Sequence, residues 1–331
     1  MPLEDTDDLQ ILSLQEFAAS SLAARFLKSG LNASALRTNN FLLPGDWEAI
    51  DRRVVAVSAT ILNGIADLRA AGLTIATGGL GAMLSLYARA SDMGPASVNM
   101  SPDVDIEEDR IDYQTMAVPV PIIAKAFRIN IRELAASRAN GGGLDTSHAD
   151  TATRKVAEKQ EEMLFKGSPT PVQGNPIYGY LNHPDRNTVS GADWATPTNI
   201  YANVLSAIAA INSDGYTEQS GRYRLYLHSD QYTEAMNWVP NTAQPIMNTL
   251  LQLPGFGPGS IKIAQTIPSG QGVLVNLNSN VVDLAVGQDT LPVEWDTRGG
   301  MVTRYLIFSC LVPRVKSTYD KKSGIAHLSG I

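Results

Sequence analysis

One cysteine, Cys310, stands in 331 residues. That excludes an internal disulfide and any multi-cysteine zinc or iron–sulfur site. Its place in the apolar run LIFSCLV suits a small buried hydrophobe better than a reactive thiol. The four histidines, His148, His183, His228 and His327, are scattered, and none stands in an HExxH or paired ligand spacing. Phosphate-binding GxxxxGK and nucleophile-elbow GxSxG motifs are also missing. Ser229, His183 and Asp185 contain the residue types of a hydrolytic triad, but no nucleophile turn supports one. Gly79 and Gly81 follow the strand-like Leu73–Thr77 as in a dinucleotide-binding turn, yet Leu84 stands where the third glycine belongs. A plain turn at the base of a hairpin reads better. No catalytic residue, metal or cofactor is expected.

Charge is scarce as well. Charged residues make up 18% of the chain and the formal net charge is −7, without the clustered Lys and Arg that phosphate neutralisation needs. A dedicated nucleic-acid binder is therefore excluded. No apolar run is long enough to cross a bilayer, so no membrane partner is expected. The N-terminus, with Glu4, Asp5, Asp7 and Asp8, lacks the basic start and apolar core of a secretory signal. Synthesis and assembly in a cytoplasm are the expectation.

What the chain does have is apolar material, 44% of it, enough at this length for one large or two ordinary domains with real cores. Leu9, Leu12, Leu22 and Phe26 recur near helical spacing in an N-terminal arm over 1–40. Docking of this arm on a neighbouring subunit and packing on its own domain both stay open. After Pro44 and Gly45, Asp46 can cap a helix with Trp47, Ile50, Val54, Val57 and Ile61 on one side. A short helix is expected over Ile129–Ala139, ending at Asn140 and Gly141–Gly143. Asp145 or Thr146 then caps a long amphipathic helix, about 146–166, with Ala149, Ala152, Val156 and Met163 inward and Arg154, Lys155, Glu158, Lys159 and Glu162 outward.

Beyond the turn-rich stretch from Ser168 to Pro197 the pattern is α/β. Helices are expected over Ile200–Ile211, from His228 through Trp238, and over Pro245–Leu253. Tyr223–Leu227, Ile261–Ala264, Gly272–Leu277, Val281–Val286 and Leu291–Trp295 read as short strands, and Met301–Lys316 as a strong one. Between Ala76 and Ala124 lies a long β-leaning excursion with few contiguous apolar residues and an acidic tract from Asp103 to Asp112. Excursions of that length usually serve a function or rest on a partner, and a two-stranded ribbon alone is marginal in water. The tract lacks the spacing of a calcium loop. Arg89, Asp103, Asp105, Glu107, Glu108 and Arg110 are its candidates for contacts between subunits.

The order of the pieces VPVPIIAKAFRINIRELAASRANGGG, LDTSHADTATRKVAEKQEEMLFKG and SPTPVQGNPIYG, with WEAID before them, INSDGYTEQSGRYRLYLHSDQY and VTRYLIFSCLVPRV after, resembles the major capsid proteins of tailed bacteriophages and their relatives, the encapsulins. The resemblance implies an α+β capsid fold. It has an N-terminal arm (1–40), an extended β-hairpin loop (76–124), a peripheral domain carrying a long spine helix (41–75, 125–195 and 296–331) and an axial α/β domain (196–295). It implies a major capsid protein that builds an icosahedral shell from pentamers and hexamers of itself. That shell would enclose phage DNA without sequence-specific binding and meet scaffolding, portal and decoration proteins. The location implied is the virion, assembled in the host cytoplasm. An encapsulin shell around a cargo enzyme is the alternative, and an α/β enzyme with an undetected site a second one. Ala76–Ala124 contains no Lys, so the covalent Lys–Asn cross-link of some phage capsids is not expected.

Overall fold

The computed structural model describes Val54, Val98, Met100, Arg132 and residues 63–96, 108–130, 147–172, 174–216, 222–239, 244–298 and 302–331. The expected N-terminal arm, the capping pair Asp145 and Thr146, and nearly all of the helix expected over Trp47–Ile61 lie outside them. Val54 is helical and buried.

Two sheets organise the described chain. In the first, β1 (Thr74–Ala76), β11 (Val282–Thr297), β12 (Val302–Val315) and β4 (Ile122–Asn130) lie in the order β1-β11-β12-β4. β11 and β12 form a long antiparallel pair, and β1 joins β11 in parallel. Helix α1 (Asn63–Ala70) and the spine helix α2 (Ser147–Lys166) pack against this sheet. Ala149, Ala152 and Val156 of α2 meet Ile129, Tyr305 and Ile307 because helical spacing puts them on one face. The opposite face carries the exposed pairs Lys155–Glu158 and Lys159–Glu162, each worth about 0.5 kcal/mol or less.

The spine helix stops where expected. Gly167 takes φ 68°, and a Cβ there would sit 2.3 Å from the Ile177 carbonyl oxygen. Only glycine both turns the chain and admits the returning segment. That segment then uses the last helical carbonyls: Tyr180 N–H donates to Leu164 O and Leu181 N–H to Phe165 O. A short pair, β5 (Ser168–Val172) and β6 (Asn175–Ile177), precedes it.

The second sheet has the order β7-β13-β10-β8-β9, from β7 (Asn187–Ser190), β13 (Ile325–Ser329), β10 (Gln271–Asn276), β8 (Tyr223–Leu227) and β9 (Ile261–Ile263). Its strands alternate between two cores. Tyr226, Val273, Val275 and Ile325 face the core shared with the first sheet. Leu225, Leu227, Leu274 and Leu328 face Trp194 and the helices α3 (Pro197–Ser213), α4 (Ser229–Ala235) and α5 (Ile246–Leu251). The period of two explains why these strands read as nearly continuous apolar runs: both faces are covered.

Four expectations need correction. Val281–Val286 and Leu291–Trp295 are not separate strands but parts of β11, which runs through two register shifts around Gln288. β12 spans the gap on one side, and Gly287 allows Gly79 to approach where a Cβ would stand 2.9 Å from its carbonyl oxygen, so residues 287–290 bulge instead of turning. β11 therefore belongs with β12 in the first sheet rather than to an axial unit over 196–295. Conversely β7 and β13, drawn into the peripheral part, pair in the second sheet, β13 lying between β7 and β10. Ile129 and Asn130, expected in a helix, complete β4: Thr303 and Val302 pair with them, and Ile129 is buried among the residues that meet the spine helix. Arg132 is helical; the rest of that helix is outside the described residues. Finally, α4 ends at Ala235, because Val239 N–H and Ile246 N–H bond to Gln244 O and Asn237 O and fold the chain back, which bridges Trp238 to Pro245.

Candidate assembly surfaces

The excursion is a ribbon. β2 (Leu84–Ala90) and β3 (Tyr113–Pro119) pair antiparallel from Leu84↔Pro119 to Ala90↔Tyr113, and Ser91 N–H to Asp112 O carries the pairing one step further. Alternation assigns the faces. Leu84, Leu86, Ala88 and Ala90, with Thr115 and Tyr113 across from them, are exposed and carry no charge; Leu86 is 60% and Tyr113 72% exposed. The other face, Ser85, Tyr87 and Arg89, turns to the body. A bare apolar face on two strands invites cover, since each buried aliphatic contributes roughly 1.5–3 kcal/mol when taken from water.

The base of the ribbon is held by buried charge. Arg314 forks onto Asp283 at 2.6 and 2.7 Å, and its Nη1 also donates to Ser85 Oγ at 3.0 Å and Leu86 O at 3.1 Å. Lys316 Nζ is 2.5 Å from the second Asp283 oxygen. A carboxylate this deep is tolerable only with such partners. Neither Asp283 nor Arg314 stood out in sequence: charges inside β-strands look like surface alternation until the second covered face is known.

Of the candidate contact residues, Glu108 and Arg110 are exposed, and Asp103, Asp105 and Glu107 lie outside the described residues. Next to them, Asp109 accepts the N–H groups of Gly94 and Arg110, which hold its carboxyl below the usual carboxylate range. Arg89 is engaged within its own chain: Nη1 donates to Ser317 Oγ at 2.9 Å and lies 3.5 Å from Asp185.

A second surface lies on α3. The helix has no charged residue, and its outward Tyr201 and Leu205 are exposed one turn apart. Met236 and Trp238, after α4, are exposed as well. A charge-free helix face in contact with water has the composition of a contact between copies.

Reactive chemistry finds no footing among the described residues. His183 is buried and accepts Asp185 N–H, while Asp185 takes Ser317 and Arg89. Ser229 instead neighbours His228 at 3.5 Å, so the three triad types are not assembled. Burial pushes His183 down to about 4, against the pull of Asp185. Gly79–Gly81 is a tight turn leading into β2, with no helix to receive a phosphate. A cavity of about 420 Å³ beside it is lined by Arg69, Thr74, Gly79, Gln288 and Asp289, and its two charges pair with each other. No group of three metal-ligating side chains exists among the described residues. Cys310 is buried, which raises its thiol above the usual range.

The family model described as encapsulating protein for peroxidase matches residues 37–312. A type 1 encapsulin shell protein, EncA, from Myxococcus xanthus (strain DK1622) is 24% identical over 250 residues, covering 76% of this chain and 82% of the relative. A virus-like particle from Pyrococcus furiosus superimposes with TM-score 0.63 at 15% identity, over 86% of this chain and 99% of that one. The capsid of Myoviridae phage XM1 gives TM-score 0.63 at 12% identity, over 82% and 92%. The fold is the α+β capsid fold shared by phage capsids and encapsulins.

Proposed function

This chain belongs to the family of encapsulating proteins for peroxidase, and from that premise we propose that it is the shell subunit of an encapsulin-type compartment. Copies associate through rings into a closed icosahedral shell around an enzyme cargo, peroxidase being the class in the family description. The observation that carries the reading is the family match, which runs from before the first sheet into the end of β12. The likeness to a phage capsid is as close in fold as the likeness to the virus-like particle, so fold alone does not separate the two, and the sequence relationship favours the compartment over the virion. The subunit is structural, not an enzyme.

Assembly rests on the ribbon and on the uncharged α3 face. A permanent interface of roughly 2,000 Å² gains about 25 cal/mol per Å² of apolar area, most of it offset by ordering and lost freedom. Closure then limits growth.

The test is electron microscopy and size-exclusion chromatography of the chain expressed with its neighbouring genes, followed by mass spectrometry of the particle contents. Closed particles holding a stoichiometric enzyme support the compartment. DNA-filled particles with portal, scaffold or decoration proteins return the phage reading, and a lasting monomer removes both. Deleting residues 91–111 is expected to leave a soluble subunit that forms no shell.

A further inference from the structure

The inward face of the ribbon is fastened at every second residue, in step with one stretch of the body. Ser85 and Leu86 O meet Arg314, Tyr87 Oη donates to Val315 O at 3.4 Å, and Arg89 meets Ser317. The Tyr87 ring lies 5.8 Å from the Arg314 guanidinium and 5.9 Å from the Lys316 ammonium. The first two fastenings belong to the buried Asp283 cluster, which β11 and β12 need in any case. The third does not. Arg89 stands near the far end of the ribbon and reaches Asp185, in the loop from β6 into β7 and hence into the second sheet. Ser317 closes the triangle, accepting from Arg89 and donating to Asp185 at 2.6 Å. Arg89 Nη2 also meets Met116 Sδ, on the neighbouring strand, at 3.3 Å.

We infer that Arg89 is the positioning residue of the ribbon, tying it through Asp185 and Ser317 to the second sheet and so fixing the angle at which it leaves its own subunit. The inference rests on the shell reading for its consequence, but the tie itself belongs to one chain. A hinged ribbon would allow neighbouring subunits several tilts and hence several curvatures. A fastened one admits a single tilt, so the shell takes a single size. The apolar outer face then arrives at the neighbour already oriented, with its ordering cost met within the subunit.

The test compares the full-length protein with Arg89→Gln, Asp185→Asn, Arg89→Lys and the exchange Arg89→Asp with Asp185→Arg. Amide hydrogen exchange at residues 85–90 and 113–118 reads the tie; particle diameters read its consequence. Arg89→Gln and Asp185→Asn are expected to raise exchange there at least about tenfold, leave exchange in the spine helix unchanged, and broaden the diameter distribution. Arg89→Lys and the exchanged pair are expected to recover part of both. Unchanged exchange in the first two variants overturns the inference, as does wider particle heterogeneity without faster exchange. If the unsubstituted chain forms no particles the shell reading falls, and the exchange comparison still decides whether Arg89 holds the ribbon.

Discussion

The antiparallel pairs β11–β12 and β2–β3 are built by the same local rule and end in opposite circumstances. β11–β12 is covered: the spine helix meets Tyr305 and Ile307 on one side, while Leu291 and Phe308 are buried on the other. β2–β3 is covered on one side only, and Leu86 and Tyr113 face water on the other. Hydrogen-bonded pairing is alike in both, so pairing does not decide stability. Cover does. The first pair completes a core, and the second leaves one apolar face open to water.

The sharpest way to break the comparison is to cut one apolar side chain from the shared core and another from the open face of the ribbon. Phe165→Ala removes a fully buried ring packed edge-on to Tyr180 and Tyr226 and is expected to cost roughly 3–5 kcal/mol by denaturant titration. A midpoint unchanged from wild type would show that the two sheets do not share that core.

Charge offers a second test, at the junction of α1, the spine helix and the second sheet. Glu161 is buried, accepts Gly64 N–H at 2.8 Å, and is pushed up to about 7 by burial, partly opposed by the Gly64 and Ile65 amides. The folded chain holds this proton between pH 4.5 and 7 while the unfolded chain releases it. Stability therefore falls as pH rises through that window, by about 3 kcal/mol at roughly 1.4 kcal/mol per unit. His183 acts oppositely: lowered from 6.5 to about 4, it withholds stability as pH drops through that range. Between pH 4.5 and 6.5 the two nearly offset each other in the unsubstituted chain, so its net loss falls between pH 6.5 and about 7; Glu161→Gln is expected to abolish that loss and to expose the acid-side loss of His183. Denaturant midpoints at pH 5, 6.5 and 8 check both; a variant still weakening toward alkaline pH would remove Glu161 as the cause.

On the ribbon the contrast reverses. Leu86→Ser should change the stability of the unassembled subunit by within about 0.5 kcal/mol, as surface substitutions do, yet lower the yield of closed particles severalfold by sedimentation. A stability loss like that of Phe165→Ala would mean that its own chain already covers the ribbon. Smallest of all, Lys159→Ala on the exposed side of the spine helix should cost about 0.5 kcal/mol or less and leave particle yield unchanged.

Much of this was legible in the residues. The helical spacing of Ala149, Ala152, Val156 and Met163 marked the spine helix, Gly167 its end, and the thin apolar pattern of 76–124 marked a ribbon. The two halves of β11 were not legible, because Gly287-Gln288-Asp289-Thr290 carries turn chemistry and becomes a bulge only when β12 runs past it. Ile129 and Asn130 sat in a helical-looking stretch until β12 supplied a pairing edge. Arg89 was marked for a contact between subunits, and its contacts within its own chain were not legible, since Asp185 and Ser317 lie far from it in the sequence.

By itself, then, the sequence determined most of the local elements, since periodicity and glycine positions act over a few residues and survive in any surroundings, while the class of the protein came from a resemblance in the order of those elements. Tertiary structure alone decided which strands share a sheet, which carboxylates stay buried with their partners, and which apolar face is left open. Those outcomes depend on pairing and desolvation between residues far apart in the chain, 229 positions for Ser85 with Arg314 and 97 for Gly64 with Glu161, and no local pattern encodes them.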